Sequence, residues 1–191
     1  MVTYFELKEK LSALLRQKER VVLVIDGHCA GGKTTLAEII REDFDAEVIH
    51  MDHFFLQPHQ RTEARLAEPG GNLDRERFLE EVVAPLKQGI PFSYRPYDCS
   101  KGDFAQAISI CNNRLVVVEG SYSLHPSFGK YYDYSAFLFV PSLTQLERIL
   151  NRPKALWDRF VHQWIPMEDA YFQAFSIPES CDCVLDGTEK R

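Results

Sequence analysis

Gly27, Gly32, Lys33 and Thr34 stand in the order G-x-x-x-x-G-K-[ST], the arrangement a backbone needs to wrap a chain of phosphates. An anion-wrapping loop must turn its N–H groups inward, and Gly27, Gly31 and Gly32 supply the conformational freedom for that. The amides of His28, Cys29, Ala30, Gly31, Gly32, Lys33, Thr34 and Thr35 are then the expected phosphate donors, at the positive end of the following helix. Lys33 is expected to reach β- and γ-phosphate oxygens and the Thr34 hydroxyl to ligate Mg²⁺. A β-branched run over residues 21–25 comes before the loop and a helical pattern follows it, so the motif has the strand–loop–helix setting its chemistry requires. The bland alternative is a glycine-rich turn that happens to contain lysine.

Four other sets of residues bear on the chemistry. Asp52 follows a short predicted strand over residues 47–51, where a carboxylate can take the proton of an attacking hydroxyl; capping a helix that starts at His53 is the structural alternative. Glu119 closes the apolar run Leu115-Val116-Val117-Val118, where it can hold Mg²⁺ or its water, and Gly120 would leave room for nucleotide or substrate. Arg148, Arg152 and Arg159 fall on one predicted helix and the segment after it; they suit a lid that covers a transferring phosphoryl group, or equally a solvated basic face. Tyr94, Arg95, Tyr97 and Asp98 could line a pocket or belong to the core. The spacings of His28, His50, His53 and His59 match no zinc template.

These residues need elements to position them. The pattern predicts an amphipathic helix over about residues 3–19, a strand into the loop, a helix over 33–42, and a surface loop over 58–71. Asp74 reads as the N-cap of a helix through 83, bent by Pro85 and stopped by Gly89. A hairpin is expected between 104–110 and 115–119, turning at Asn112-Asn113. A strand over 136–140, a helix over 143–150 capped by Ser142, helices over 158–164 and 167–175 broken at Pro166, and a strand over 183–185 complete the pattern. Strands alternating with helices predict a three-layer α/β sandwich of the phosphate-loop NTPase type, with a mostly parallel sheet, a lid at about 150–165 and one domain over 1–191. Gly27, Asp52 and Glu119 would then meet at the carboxyl ends of the strands, where such sheets bind ligands.

Bulk properties narrow the classes. The 191 residues are 45% hydrophobic and 26% charged, ordinary for a globular chain. A net charge of −6 argues against a general nucleic-acid partner. No apolar run is long enough to span a membrane, and five cysteines without C-x-x-C spacing predict reduced thiols and a cytoplasmic setting. Cys181 and Cys183 alternate as strand packing. Nothing in the sequence speaks to oligomeric state.

The chain resembles the uridine kinase-like family of phosphate-loop kinases, which includes uridine–cytidine, nicotinamide riboside, pantothenate and phosphoribulose kinases. Met51-Asp52-His53-Phe54-Phe55 looks like the family's D-x-F-[FY] segment, and Val117-Val118-Glu119-Gly120 like its E-G strand end. Gly70-Gly71-Asn72-Leu73-Asp74 and Pro96-Tyr97-Asp98 resemble its nucleoside-pocket segments, Trp164-Ile165-Pro166-Met167 the W-P-M stretch of nicotinamide riboside kinases, and Leu185-Asp186-Gly187-Thr188 their last strand. The resemblance implies ATP and Mg²⁺ as cofactors and Asp52 as general base. It also implies a small-molecule acceptor, first of all a nucleoside, contacted by Asp52, Phe54, Asp74, Arg95, Tyr97 and Glu119. Three features depart from the family: Arg148 and Arg152 are followed by Pro153 instead of forming R-x-x-R-D, His53 occupies the base motif, and Arg95 adds positive charge that would suit an anionic acceptor. A regulatory GTPase is disfavoured because N-K-x-D and D-x-x-G are missing. A non-catalytic nucleotide-binding protein is the remaining rival.

Overall fold

A computed structural model describes residues 1–111 and 113–189. Its centre is a five-stranded, wholly parallel sheet in the order β2-β7-β1-β8-β9. The strands are β1 (Val21–Gly27), β2 (Glu47–His50), β7 (Leu115–Glu119), β8 (Tyr134–Phe139) and β9 (Cys183–Asp186). All seven residues of β1 are buried, as a central strand covered on both faces requires.

Alternation along β1 sorts its side chains between two cores. Val21, Leu23 and Ile25 face α1 (Tyr4–Gln17) and α2 (Lys33–Phe44), packing with Leu7, Leu11, Leu36 and Ile40. Val22 and Val24 face the opposite layer. That layer is built from α4 (Arg75–Phe78), which runs through a π turn at Leu79–Val83 into α5 (Ala84–Gln88), and from α8 (Ile165–Phe175). The result is the expected three-layer α/β sandwich.

Pro166 behaves differently from its sequence expectation, and Pro85 sits in a similar setting. Pro166 does not break the helix: α7 (Trp157–Arg159) passes through a π turn at Phe160–Trp164 directly into α8, with Pro166 in the first turn of the new register. Pro85 likewise follows a π turn, and the helix ends at Gly89, whose φ of 71° is left-handed. A π turn shifts the hydrogen-bond register just ahead of the residue that lacks an N–H, so the helix absorbs the proline.

The hairpin expected between 104–110 and 115–119 does not form. β6 (Ile108–Ile110) pairs antiparallel with β3 (Phe92–Tyr94), while β7 lies between β1 and β2. The continuous apolar run of β7 needs cover on both faces, which a two-stranded hairpin cannot give. Asn112 of the expected turn lies outside the described residues. A second small ribbon joins β4 (Tyr97–Asp98) to β5 (Asp103–Phe104).

Other differences are local. The segment expected as a loop over 58–71 holds a 3₁₀ turn at Pro58–Gln60 and a short α3 (Glu63–Ala67). Pro141, not Ser142, is the N-cap residue of α6 (Ser142–Leu150), with no side-chain cap. Asp74 caps α4 as expected, its carboxylate accepting from the Arg77 amide. No helix among the described residues is long and apolar enough to cross a membrane.

Candidate active site

The phosphate loop leaves β1 at Gly27, whose φ is 144° and whose missing Cβ would otherwise sit 2.3 Å from the Leu138 carbonyl oxygen. Only glycine fits there. Ala30 also takes a left-handed φ of 55°, and the loop closes on α2 at Gly32. The His28 ring leaves the phosphate side and packs edge-on against Phe137, Phe139 and Phe172, with burial lowering its pKa. The loop is thus held from beneath by β8 and α8.

Lys33 is folded back within the loop. Its ammonium donates to the carbonyls of Gly27 (2.8 Å) and His28 (2.9 Å) and to Ser121 Oγ (3.2 Å). Those bonds use all three protons, each worth about 1.5–3 kcal/mol where a charge is involved. A polyphosphate bearing several negative charges offers more, about 4 kcal/mol per charge even at 4 Å and an effective dielectric of 20.

Thr34 Oγ1 donates to Glu119 Oε1 at 3.0 Å, so the start of α2 meets the end of β7. His50 Nδ1 lies 2.5 Å from the same oxygen, and that hydrogen bond raises the His50 pKa against the opposing effect of burial. Among the described residues no group of three or more His, Cys, Asp or Glu could hold a metal by itself. A hydroxyl beside one carboxylate, next to a phosphate cradle, is the donor set of an ion that draws its remaining ligands from phosphate and water, and Mg²⁺ is such an ion. The residues fit it.

Asp52 sits in a 3₁₀ turn, Met51–Phe54, just past β2, rather than capping a longer helix. Gly120 makes this approach possible: its φ is 136°, and a Cβ there would lie 2.6 Å from Met51 Cβ. The space left by Gly120 is therefore taken by Met51, not by a ligand. Solvent reaches Asp52, yet the surrounding walls crowd it enough that desolvation raises its pKa; Lys33 opposes this, Glu119 adds to it, and His50 and Arg152 oppose it. His53 beside it is driven to a pKa of about 4 by burial, so it is neutral near pH 7.

The three lid arginines part company. Arg152 is exposed and acts on Asp52 through its charge. Arg148 is a fastener: it donates to the carbonyls of Ala30 (3.2 Å), Gly31 (2.9 Å) and Gly187 (2.7 Å). Arg159 lies over the Trp164 ring at 4.8 Å.

Four residues expected at the acceptor have partners within the fold. Phe54 is fully buried against Phe78 and Tyr94, with the Arg77 guanidinium 4.4 Å above its ring. Asp74 is spent on its cap and on Gln60. Tyr97 is buried edge-on to Phe104, and Arg95 donates to the carbonyls of Phe104 (2.9 Å) and Ala105 (3.1 Å). Arg95 is thereby tied to the β4–β5 ribbon, while its side chain stays exposed and lines a surface cavity with Glu81, Ser93, Tyr94 and Phe104.

Sequence reasoning missed the carboxylates beneath the loop. Asp26 is fully buried and accepts from the amides of Gly27, Tyr122 and Leu124 and from the Tyr171 hydroxyl, yet desolvation still lifts its pKa to about 6. Glu168, Ser121 and Gln145 also touch the loop or Lys33. Only Asp26 had a local signal, as an acid ending an apolar strand.

No known protein-family profile matches the chain. Solved structures do resemble it. A possible uridine kinase from Bacillus stearothermophilus superposes with a TM-score of 0.70 at 20% identity, over 95% of this chain and 100% of that one. YFH7 from Saccharomyces cerevisiae, a circularly permuted chain, superposes with a TM-score of 0.61 at 14% identity, over 94% and 96%. A shikimate kinase from Bacteroides thetaiotaomicron does so with a TM-score of 0.53 at 15% identity, over 90% of each chain. At these identities the likeness establishes a fold shared with P-loop kinases, the fold that the resemblance to uridine kinase-like proteins implied.

Proposed function

We propose that the chain is an ATP-dependent phosphotransferase that moves the γ-phosphoryl group to a hydroxyl of a small molecule, a nucleoside. The observation that carries this reading is the meeting of three strand ends: the loop after β1 with Lys33, the Asp52 turn after β2, and Glu119 at the end of β7 with Thr34 on its carboxylate. A nucleotide-binding protein without catalysis would need the first and third of these but not a carboxylate of raised pKa beside them.

In this reading the loop amides and Lys33 take the triphosphate, Lys33 leaving the Gly27 and His28 carbonyls to do so. Thr34 and Glu119 would hold Mg²⁺, which supplies charge neutralisation on the β- and γ-phosphates when bound. Asp52 accepts the proton of the acceptor hydroxyl, and His53 alongside, being neutral, adds no positive charge of its own. Arg152 closes over the transferring group. Support for a nucleoside comes from the likeness to the possible uridine kinase.

Measuring ADP release with Mg²⁺–ATP across uridine, cytidine, nicotinamide riboside, pantothenate, ribulose phosphate, shikimate and simple sugars tests this. A nucleoside that raises ADP release far above the basal rate supports the reading. A response to a non-nucleoside keeps the reaction and replaces the acceptor, and silence throughout with ATP bound overturns the kinase assignment.

A further inference from the structure

Beneath the phosphate loop lies a carboxylate that the transfer reaction does not use. Glu168, on α8, is 4% exposed. Its Oε2 accepts from the Cys29 amide at 2.8 Å, and its Oε1 accepts from the Ser121 hydroxyl at 2.5 Å. Ser121 Oγ in turn receives the Lys33 ammonium at 3.2 Å. From the other side of the loop, Gln145 on α6 donates to the Cys29 carbonyl at 3.0 Å.

A buried negative charge behind a phosphate site works against phosphate binding unless something recovers its cost. Here its partners are an amide of the loop, a hydroxyl and, one bond further on, the ammonium that must meet the phosphates. Burial raises the Glu168 pKa, while Lys33 and the Ser121 and Cys29 hydrogen bonds oppose that rise. Cys29 is gripped at both its backbone polar groups, the N–H and the C=O, by the two helices that flank the segment carrying Arg152.

We infer that Glu168 is a positioning residue for nucleotide binding: it fixes the phosphate loop at the Cys29 amide and, through Ser121, holds the Lys33 ammonium at its waiting place. This rests on the nucleotide-binding reading above. When phosphates draw Lys33 off the Gly27 and His28 carbonyls, the Glu168–Ser121 bond stays and keeps the loop from following. The role acts on ATP and leaves the acceptor untouched.

The test is Mg²⁺–ATP binding to the full chain by calorimetry, with thermal melting, for Glu168→Gln, Ser121→Ala, the double variant and Lys33→Ala. Glutamine keeps the size and an oxygen for the Cys29 amide but removes the charge. The expected result is a Kd raised roughly tenfold for Glu168→Gln, as for lost supports of a binding group. A smaller rise is expected for Ser121→Ala, with a double variant well short of additive because both act through one chain of bonds. If Lys33→Ala weakens ATP while Glu168→Gln lowers Tm and leaves Kd unchanged, Glu168 is a packing residue and the inference is overturned. If Glu168→Gln does not fold, an unchanged Kd in Ser121→Ala overturns it equally. ATP binding that is indifferent to Lys33→Ala overturns the nucleotide reading itself, and this inference with it.

Discussion

The Thr34 hydroxyl lies 3.0 Å from the Glu119 carboxylate, joining the phosphate loop's helix to the end of a strand on the far side of the chain's first half. His50, at the end of the neighbouring strand, closes on the same carboxylate oxygen at 2.5 Å. A carboxylate held from two sides presents its second oxygen in a fixed direction. Replacing His50 by Ala should weaken Mg²⁺ or Mn²⁺ affinity in the presence of nucleotide by roughly 10–100-fold, as loss of a ligand's outer partner does elsewhere. Titrating Mn²⁺ by its paramagnetic signal reads this directly, and an unchanged affinity would remove Glu119 from the metal site.

Asp52→Asn should cut kcat by roughly 10²–10⁴-fold, the range for removal of a general base, while the Kd for ATP stays near its wild-type value. Single-turnover and binding measurements separate the two. A variant that turns over normally but binds ATP poorly would assign Asp52 to the phosphate site instead.

Arg152 and Arg148 should respond in opposite ways although they are four residues apart. Arg152 is exposed and its positive charge holds the Asp52 pKa down against desolvation. Arg152→Ala should therefore lower kcat, move the acid limb of the pH–rate profile upward and leave Tm almost unchanged. Arg148→Ala strips the donor from the Ala30, Gly31 and Gly187 carbonyls, at a cost of about 1–3 kcal/mol in stability. Thermal melting with pH–rate profiles of both variants distinguishes them; equal losses of Tm would contradict the division of labour.

Burial holds the Asp26 carboxyl at about 6, above its ordinary value near 4. A group that keeps its proton more tightly folded than unfolded adds stability below its unfolded pKa, and that contribution is lost as pH rises through about 6. Wild type should accordingly lose Tm relative to Asp26→Asn between pH 4 and pH 6.5. A difference that stays flat would mean the four donors around Asp26 cancel its desolvation, and one that turns in favour of wild type that they outweigh it.

Arg95→Ala should leave the acceptor KM unchanged, because its guanidinium is bound to the carbonyls of Phe104 and Ala105. Its loss should show instead as a modest fall in stability. An acceptor KM that rises sharply would return Arg95 to the pocket.

Much of the site was written locally. The loop from Gly27 to Thr34 is a contiguous motif whose geometry follows from its glycines and from the strand and helix at its ends. Asp52 and Glu119 could be placed because β-branched runs mark buried strands and ligands gather at the carboxyl ends of parallel sheets. The helix cap at Asp74 was equally local.

What the tertiary structure decided was every partnership made across the chain. Whether β7 closes a hairpin with β6 or lies between β1 and β2 depends on which arrangement covers both of its faces, and no window of neighbouring residues contains that answer. Pro166 looked like a break because the rule against proline assumes an unshifted helix, and the π turn ahead of it removes the assumption. Glu168 meets the Cys29 amide across 139 residues. A buried acid on a distant helix looks like any solvated glutamate until the packing of α8 under the loop takes it out of water. The motif was therefore legible from residue types alone, whereas the groups that hold it in shape were chosen by burial, which exists only in the folded chain.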